Sequence, residues 1–364
     1  MKYYVDVIKT NKNNATLKAP GDIAKICDEL GMTAFNMPNI PYEKSVYYQK
    51  AWMLLVWQRY WNKLLKKMKS GDILLYQHPM YGTRIMERIL PKFRKKGVKI
   101  IMLIHDLNIL RGGEAYKRDK TSSVYIQDMI ILNYADNIIC HNKSMQDYLL
   151  SEGFTENKLT NLEIFDYLTD YRPACKTFKK EWSCVIAGNL VKAKCKYIYD
   201  LIDHTKAEGS YKLHLYGGGL EVELGNEHNN VVYHGSISPE KLPEIMEGDF
   251  GIVWDGTSTK SCEGNNGNYL RYNNPHKTSL FLASGVPVIV WEKCALAEFV
   301  QNNGVGFAVS SLDDITEVLS GMTEEEYNQI IANVNTVSEK IRNGHFFKTA
   351  YQKAEDSIFC RMEK

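Results

Sequence analysis

The stretch GNYLRYNNPHKTSLFLASGVPVIVW, residues 267–291, decides how the chain is read. Its first half, Tyr269 to Lys277, is polar and aromatic. The second half starts with apolar residues at helical spacing (Leu280, Phe281, Ala283), breaks at Ser284-Gly285, and runs through Pro287 into the β-rich segment Val288 to Trp291. Loop, helix and strand therefore follow one another directly. The join sets Lys277, Thr278 and Ser279 at a helix N-terminus, with Pro275 just before it, where free backbone N–H groups and the positive end of the helix dipole favour an anion. A phosphorylated ligand is the simplest guest for such a place, and an ordinary helix start with a surface lysine is the alternative. Asn273, Asn274, His276, Lys277 and Thr278 crowd into six positions, and that density tips the balance toward a ligand.

At 364 residues the chain exceeds one ordinary hydrophobic core and suits two domains. Its 45 Lys and Arg against 43 Asp and Glu leave a net charge of +2, so no bulk field draws it to nucleic acid or to an anionic membrane. Local basic patches remain open. The eight cysteines are scattered, without CxxC or Cys/His spacing for zinc, so no metal site is expected. They read as free thiols of a reducing compartment, which makes the protein cytoplasmic. Met1 to Ile8 alternates as a first strand does, and no apolar run is long enough to span a bilayer.

From the N-terminus, strand Tyr3 to Val7 leads into an Asn- and Lys-rich loop, Thr10 to Pro20, and then a helix from Asp22 to Leu30. Trp52 to Met68 has the pattern of a long amphipathic helix, with Leu54, Leu55, Trp57, Trp61, Leu64, Leu65 and Met68 apolar and Arg59, Lys63, Lys66 and Lys67 basic. A core-facing helix with a solvated basic side is favoured over a membrane-surface helix. Strand Asp72 to Tyr76 ends at Gln77-His78-Pro79, and strand Lys99 to Ile104 runs into His105-Asp106. In an open α/β sheet such strand ends line the crevice that holds the chemistry. A helix from Val124 to Asn133, a strand from Asn137 to Cys140, an exposed His141-Asn142 and a helix from Ser144 to Ser151 complete the first half.

Residues 165–180 change character and read as the connection between domains. A second α/β unit follows, whose short apolar runs end in Gly188-Asn189-Leu190, in Gly217-Gly218-Gly219 after Tyr216, in Gly235, and in Asp255-Gly256. The same event after four strands suggests one ligand edge. A capping box, Thr323 with Glu326, starts a long helix to Ile341, and helical character resumes after Gly344.

The blocks IHDLNILRGG (104–113), CHN (140–142), IFDYL (164–168), AGNL (187–190), WDG (254–256) and YLRYNNPHKTSLFLASGVPVIVW (269–291) together resemble a family of bacterial glycosyltransferases. That family includes β-1,6-galactofuranosyltransferases of surface-polysaccharide synthesis and glucosyltransferases that modify serine-rich adhesins. The resemblance covers nearly the whole chain. It implies an α/β protein of GT-B architecture, two facing Rossmann-like domains with a C-terminal helix crossing back to the first. The boundaries expected are 1–168 for an acceptor-side domain, 169–343 for a nucleotide-sugar domain, and 344–364 for the returning helix.

The resemblance also implies an inverting, metal-independent transfer of a hexosyl unit, galactofuranose before glucose, from a UDP-sugar to a lipid-linked or protein-linked glycan. No cofactor beyond that donor substrate is implied. A nucleotide-sugar-modifying enzyme and a silent partner subunit are the alternatives. Matching positions on the donor side are Gly188, Asn189, Leu190, Tyr216, Gly217, Asp255, Gly256, Asn273, Asn274, His276, Lys277 and Thr278. On the acceptor side they are the loop of Asn14, Ala15, Thr16, Lys18 and Pro20, together with His105-Asp106; His78 is a further acceptor-side group. Lys277, the Thr278 hydroxyl and the helix N-terminus would answer the charge growing on the leaving diphosphate. Asp106 is the favoured base, its pKa raised by partial burial, with His105 as rival. Assembly as a homo-oligomer is expected, and peripheral contact with a membrane is left open.

Overall fold

The computed structural model describes residues 1–7, 17–80, 82–113, 116, 119–174, 176–179, 181–205 and 211–360. The chain divides into two compact units. The first comprises 1–12, 19–162 and 347–364, and the second 13–18 and 163–346.

The first unit is built on a six-stranded parallel sheet in the order β2-β1-β3-β4-β5-β6. Its strands are β1 (Lys2–Val7), β2 (Thr33–Met37), β3 (Ile73–His78), β4 (Lys99–Ile104), β5 (Asn137–Cys140) and β6 (Leu159–Asn161). β3 is buried at every position, its polar end Gln77-His78 included, and β4 at all but its first, as the apolar run of β4 requires. The order reverses between β1 and β3, so the switch point of this sheet falls at the carboxyl ends of those strands, β3 ending in Gln77-His78. Helices α1 (Lys18–Glu29), α2 (Val46–Trp52), α3 (Gln58–Lys67), α4 (Thr83–Lys95) and α5 (Lys143–Ser151) connect the strands.

Several expectations shift here. β2 and β6 escaped notice because both are short and carry Thr and Asn among few apolar residues. α1 begins at Lys18, so the end of the expected loop belongs to a helix; residues 8–16 lie outside the described residues. The helix expected from Trp52 starts at Val46 and contains a π-helical turn, Met53–Trp57. Trp57, Trp61, Leu64 and Met68 form its buried stripe, whereas Leu54 and Leu55 are exposed. His141-Asn142 is buried instead of exposed: His141 Nε2 donates to the Ile104 carbonyl at 3.0 Å, and Asn142 caps α5 by accepting from the Met145 N–H at 2.9 Å.

The second unit carries the parallel sheet β12-β11-β10-β7-β8-β9. Its strands are β7 (Ser183–Ala187), β8 (Lys212–Tyr216), β9 (Val231–Gly235), β10 (Phe250–Val253), β11 (Val288–Trp291) and β12 (Gly306–Val309). Renumbered from β7, this is the doubly wound order 3-2-1-4-5-6. The switch point falls between β7 and β10, which deliver Gly188 and Asp255 to one crevice. α6 (Lys196–His204) follows β7. α7 (His276–Ala283) lies against β10, and the long α8 (Glu324–Arg342) packs on α7, with Ser338 Oγ donating to the Ala283 carbonyl at 3.1 Å. The Thr323–Glu326 capping box is present.

After Gly344 comes the last helix, α9 (His345–Phe359), and residues from Phe347 onward belong to the first unit. There Glu355 pairs with Lys2 at 2.7 Å, Lys348 with Glu29 at 2.6 Å, and Asn137 Nδ2 donates to Ser357 Oγ at 2.9 Å. Among the described residues no helix is long and apolar enough to cross a membrane.

The contact that seats α7 on β10 is tight. A Cβ placed on Gly251 would lie 2.4 Å from the Phe281 ring. Gly251→Ala should therefore destabilise the second unit by about 1–3 kcal/mol in urea unfolding, the usual cost of overpacking. Adding Phe281→Leu should recover part of that loss. Strictly additive losses in the double variant would mean that the two side chains do not clash.

Candidate active site

A cavity of about 640 Å³ lies in the second unit at the carboxyl ends of β7, β8 and β10. That is a volume suited to a ligand larger than a single sugar. Gly188 follows β7 with φ 139°, and a Cβ there would meet nothing within 4 Å, so its open side can face a ligand. Gly217, with φ 147°, is required for another reason: a Cβ would sit 1.7 Å from the Gly188 carbonyl oxygen, so the two strand ends could not approach.

Three lysines, Lys18, Lys194 and Lys277, line this cavity against one acid, Asp255. Lys277 Nζ bonds the Trp254 carbonyl and pairs with Asp255 Oδ2 at 3.1 Å, both side chains 17% exposed. The Trp254 carbonyl also accepts from Tyr197 Oη at 3.0 Å. Lys277 stands in the first turn of α7, whose N-cap is Pro275, and no side chain caps that end. The first turn of α7 and three lysines thus line one cavity, an arrangement that suits a diphosphate. Apolar walls come from Ile186, Ile237, Leu242 and Leu280, with Tyr216 stacked on His234 at 4.2 Å between ring centroids.

The expected donor-side residues separate into two groups. Gly188, Asn189, Tyr216, Gly217, Asp255, His276 and Lys277 line the cavity. Leu190, Gly256, Asn273, Asn274 and Thr278 do not. Leu190 is core, and Gly256 makes a turn against Glu263. Asn274 Nδ2 donates to the Glu163 carbonyl at 3.1 Å. The Thr278 hydroxyl, expected to face phosphate, is fully buried, and neither it nor Asn273 Oδ1 has a hydrogen-bond partner among the described residues.

Lys18, expected on the acceptor side, belongs instead with this cavity. Its Nζ donates to the Leu168 carbonyl at 2.6 Å and lies 4.6 Å from the centre of the Tyr167 ring. Lys194 and Tyr167 were missed as lining residues. Lys194 carried a usable signal, since it follows AGNL in the same post-strand loop.

His276 is held by the segment before β7. Its Nε2 donates to the Asp166 carbonyl at 3.2 Å, and its ring stacks on Tyr167 at 5.0 Å. Burial pushes its pKa from 6.5 down to about 4; the bond to Asp166 opposes that fall and the Lys18 charge assists it. A neutral imidazole at physiological pH binds and orients, and does not carry a proton away.

In the first unit the residues expected near the acceptor gather at the ends of β3 and β4. His105 Nε2 donates to Gln77 Oε1 at 2.7 Å, and the Gln77 amide reaches the Pro20 carbonyl at 3.5 Å. His78 is wholly buried, with Nε2 3.2 Å from Asp128 Oδ1, so it braces the fold and does not face solvent. Asp106 was expected to be partly buried; its carboxylate is 40% exposed and pairs with Arg111 at 3.6 Å. Asn14, Ala15 and Thr16 lie outside the described residues.

Two parallel doubly wound sheets, one in each unit, with a lysine-lined cavity at the switch point of the second, give the architecture of the GT-B fold. Comparison with known proteins makes this specific: models described as Glucosyltransferase 3-like match, the N-terminal domain over residues 2–164 and the C-terminal domain over 184–354. The chain belongs to the Glucosyltransferase 3-like family and is a hexosyltransferase. It is 32% identical over 365 residues to the Beta-1,6-galactofuranosyltransferase WbbI of Escherichia coli K12, covering 99% of this chain and all of that protein. It is 27% identical to Glucosyltransferase 3 of Streptococcus gordonii, covering 92% of each. Among solved structures, the lipopolysaccharide outer core galactosyltransferase WaaB shares the fold at a TM-score of 0.60 and 12% identity, covering 99% of this chain and all of that one.

The low pKa of His276 has a measurable consequence. As pH falls from 6.5 toward 4 the unfolded chain takes up a proton that the folded imidazole refuses, so stability declines over that window. His141, pushed down to about 4 by the same cause, adds to the decline. His276→Gln should flatten it, read as the difference between urea midpoints at neutral pH and near the lower end of the window. An undiminished decline in the variant would show that His276 is not the group responsible.

Proposed function

We propose that the chain transfers a hexosyl unit from a UDP-sugar to a glycan acceptor on a lipid or protein carrier, with inversion and without a metal ion. The observation that carries this is the convergence of Lys18, Lys194, Lys277 and an uncapped helix N-terminus on one cavity. Those groups supply the positive charge that a departing diphosphate needs. The Lys277–Asp255 pair is then a resting arrangement that the donor phosphates replace or extend. Galactofuranose is favoured as the sugar because the full-length relative at 32% identity is named for it, with glucose next for the streptococcal relatives. The cytoplasm is the favoured site of the reaction, in keeping with seven described cysteines that are all free thiols, six of them buried.

In this mechanism the acceptor hydroxyl oxygen attacks the anomeric carbon. The bond from that carbon to the β-phosphate oxygen breaks, its electron pair leaving with UDP, and the hydroxyl proton passes to a base. Asp106 is our choice for that base: it stands at the end of β4, is solvent-accessible, and is held by Arg111. His105, fixed by Gln77, is the rival.

Lys277→Ala should lower turnover by on the order of 100-fold, the weight of one preorganised transition-state donor, and should weaken UDP binding in calorimetry. Wild-type activity should persist in excess EDTA. Normal turnover and UDP affinity in a folded Lys277→Ala variant, or an EDTA loss restored by Mg²⁺, would each defeat this part of the mechanism.

For the base, Asp106→Asn should reduce kcat by roughly 10²- to 10⁴-fold with UDP affinity unchanged. His105→Asn should cost less. Near-normal turnover in Asp106→Asn together with a large loss in His105→Asn would transfer the role to the imidazole.

A further inference from the structure

The helical segment 46–67 of the first unit carries an outward face that the described chain does not cover. α2 buries none of its residues. Tyr47, Lys50, Ala51, Leu54 and Leu55, at i, i+3, i+4, i+7 and i+8, are all exposed, Tyr47 to 86%, Leu55 to 61% and Leu54 to 49%. Beyond the π-turn the outward positions become Arg59, Lys63, Lys66 and Lys67. One helical segment therefore presents an apolar, aromatic first half and a basic second half.

The charge on this part of the molecule is one-sided. Residues 44–69 contain seven Lys and Arg and no acid. Extending to residue 99 takes in α4, which packs beside α3, and raises the count to fourteen of the chain's 45 basic residues against only Asp72 and Glu87. A chain of net charge +2 has concentrated its cations here.

We propose that this segment docks the enzyme on a bilayer bearing anionic phospholipid headgroups. Tyr47, Leu54 and Leu55 enter the boundary between headgroups and acyl chains, and Arg59, Lys63, Lys66 and Lys67 meet the phosphates. The charge decides among occupants. A second copy of this segment related by a two-fold axis would bring together two sets of five cations, Lys50, Arg59, Lys63, Lys66 and Lys67, with no acid on either to pair them, and a nucleic acid would leave the exposed leucines in water. An anionic bilayer satisfies both halves at once. The docking stands independently of which sugar is transferred, and it would bring the enzyme to acceptors built on lipid.

The test is co-sedimentation of the full chain with vesicles of phosphatidylcholine alone and of phosphatidylcholine mixed with phosphatidylglycerol. Binding is expected to the mixed vesicles only, and it should weaken as salt is raised. Leu54→Ser with Leu55→Ser, and separately Lys63→Glu with Lys66→Glu and Lys67→Glu, should each lower the bound fraction by roughly tenfold. UDP release with a water-soluble acceptor should stay at the wild-type rate, and thermal melts confirm folding. Equal binding to both vesicle types, or none to either, overturns the proposal. So does a dimer in light scattering that the leucine pair abolishes, which would assign the face to a second copy. Failure of the transfer reaction itself would leave the vesicle measurement intact, so the two conclusions fall separately.

Discussion

An ammonium group that is mostly withdrawn from water needs an anion and a carbonyl beside it, and in this chain Asp255 and Trp254 meet that need for Lys277. Left alone, a buried charge would cost several kcal/mol. Because Trp254 and Asp255 directly follow β10 and Lys277 stands in the first turn of α7, satisfying the lysine also fixes where the helix begins on the sheet. Gly251 and Phe281 enforce the same seating from below, since the ring lies where a side chain on the strand would be. The electrostatic constraint and the packing constraint agree on one register, and that register points the uncapped end of α7 into the cavity.

The polar block 273–278 divides its work between ligand and scaffold. Asn274 and His276 reach the carbonyls of Glu163 and Asp166. Glu163 has the left-handed φ of 72°, rare for a residue with a side chain, and the Asn274 bond helps hold it there. Asp166 in turn accepts from the Phe346 N–H, and Tyr167 donates from its N–H to the Ile341 carbonyl and from its hydroxyl to the Pro239 carbonyl. The segment that places Tyr167 at the cavity is thus tied to the end of α8 and to the loop at Pro239. Lys18 reaches its position by bonding that same segment.

The helix and strand of 276–291 were legible because each announces itself locally, by proline at the helix start, Ser-Gly at its end and then a β-branched run, whereas residues 267–269 of the expected loop belong to a short helix, Gly264–Tyr269, whose Gly- and Asn-rich sequence carries no helical signal. The glycines after β7 and β8 were legible for a similar reason, since a strand end that must come close to a neighbour or a ligand accepts little else. What sequence could not give was the direction of side chains within that block. Polar residues at consecutive positions of one helical turn point around the helix, so Thr278 turns into the fold while Lys277 turns to the cavity. Lys18 was misplaced for a different reason, because its partners, Tyr167 and Leu168, stand far along the chain and no local pattern connects them.

The helix of residues 46–67 shows the limit of periodicity most plainly. An apolar stripe tells that something apolar should cover it, without telling whether the cover is the chain's own sheet. The π-turn at Met53–Trp57 inserts an extra residue into one turn and so rotates everything before it relative to everything after. After the turn, Trp57, Trp61, Leu64 and Met68 keep the spacing i, i+4, i+7, i+11 and all are buried. Before it, the phase has slipped, and the apolar residues that continue the pattern by eye are carried to the outside. A straight helix would make one amphipathic face of Leu54, Leu55 and Trp57 together. The inserted residue makes two faces instead, one that stabilises the first unit and one that the described part of the chain leaves in contact with solvent.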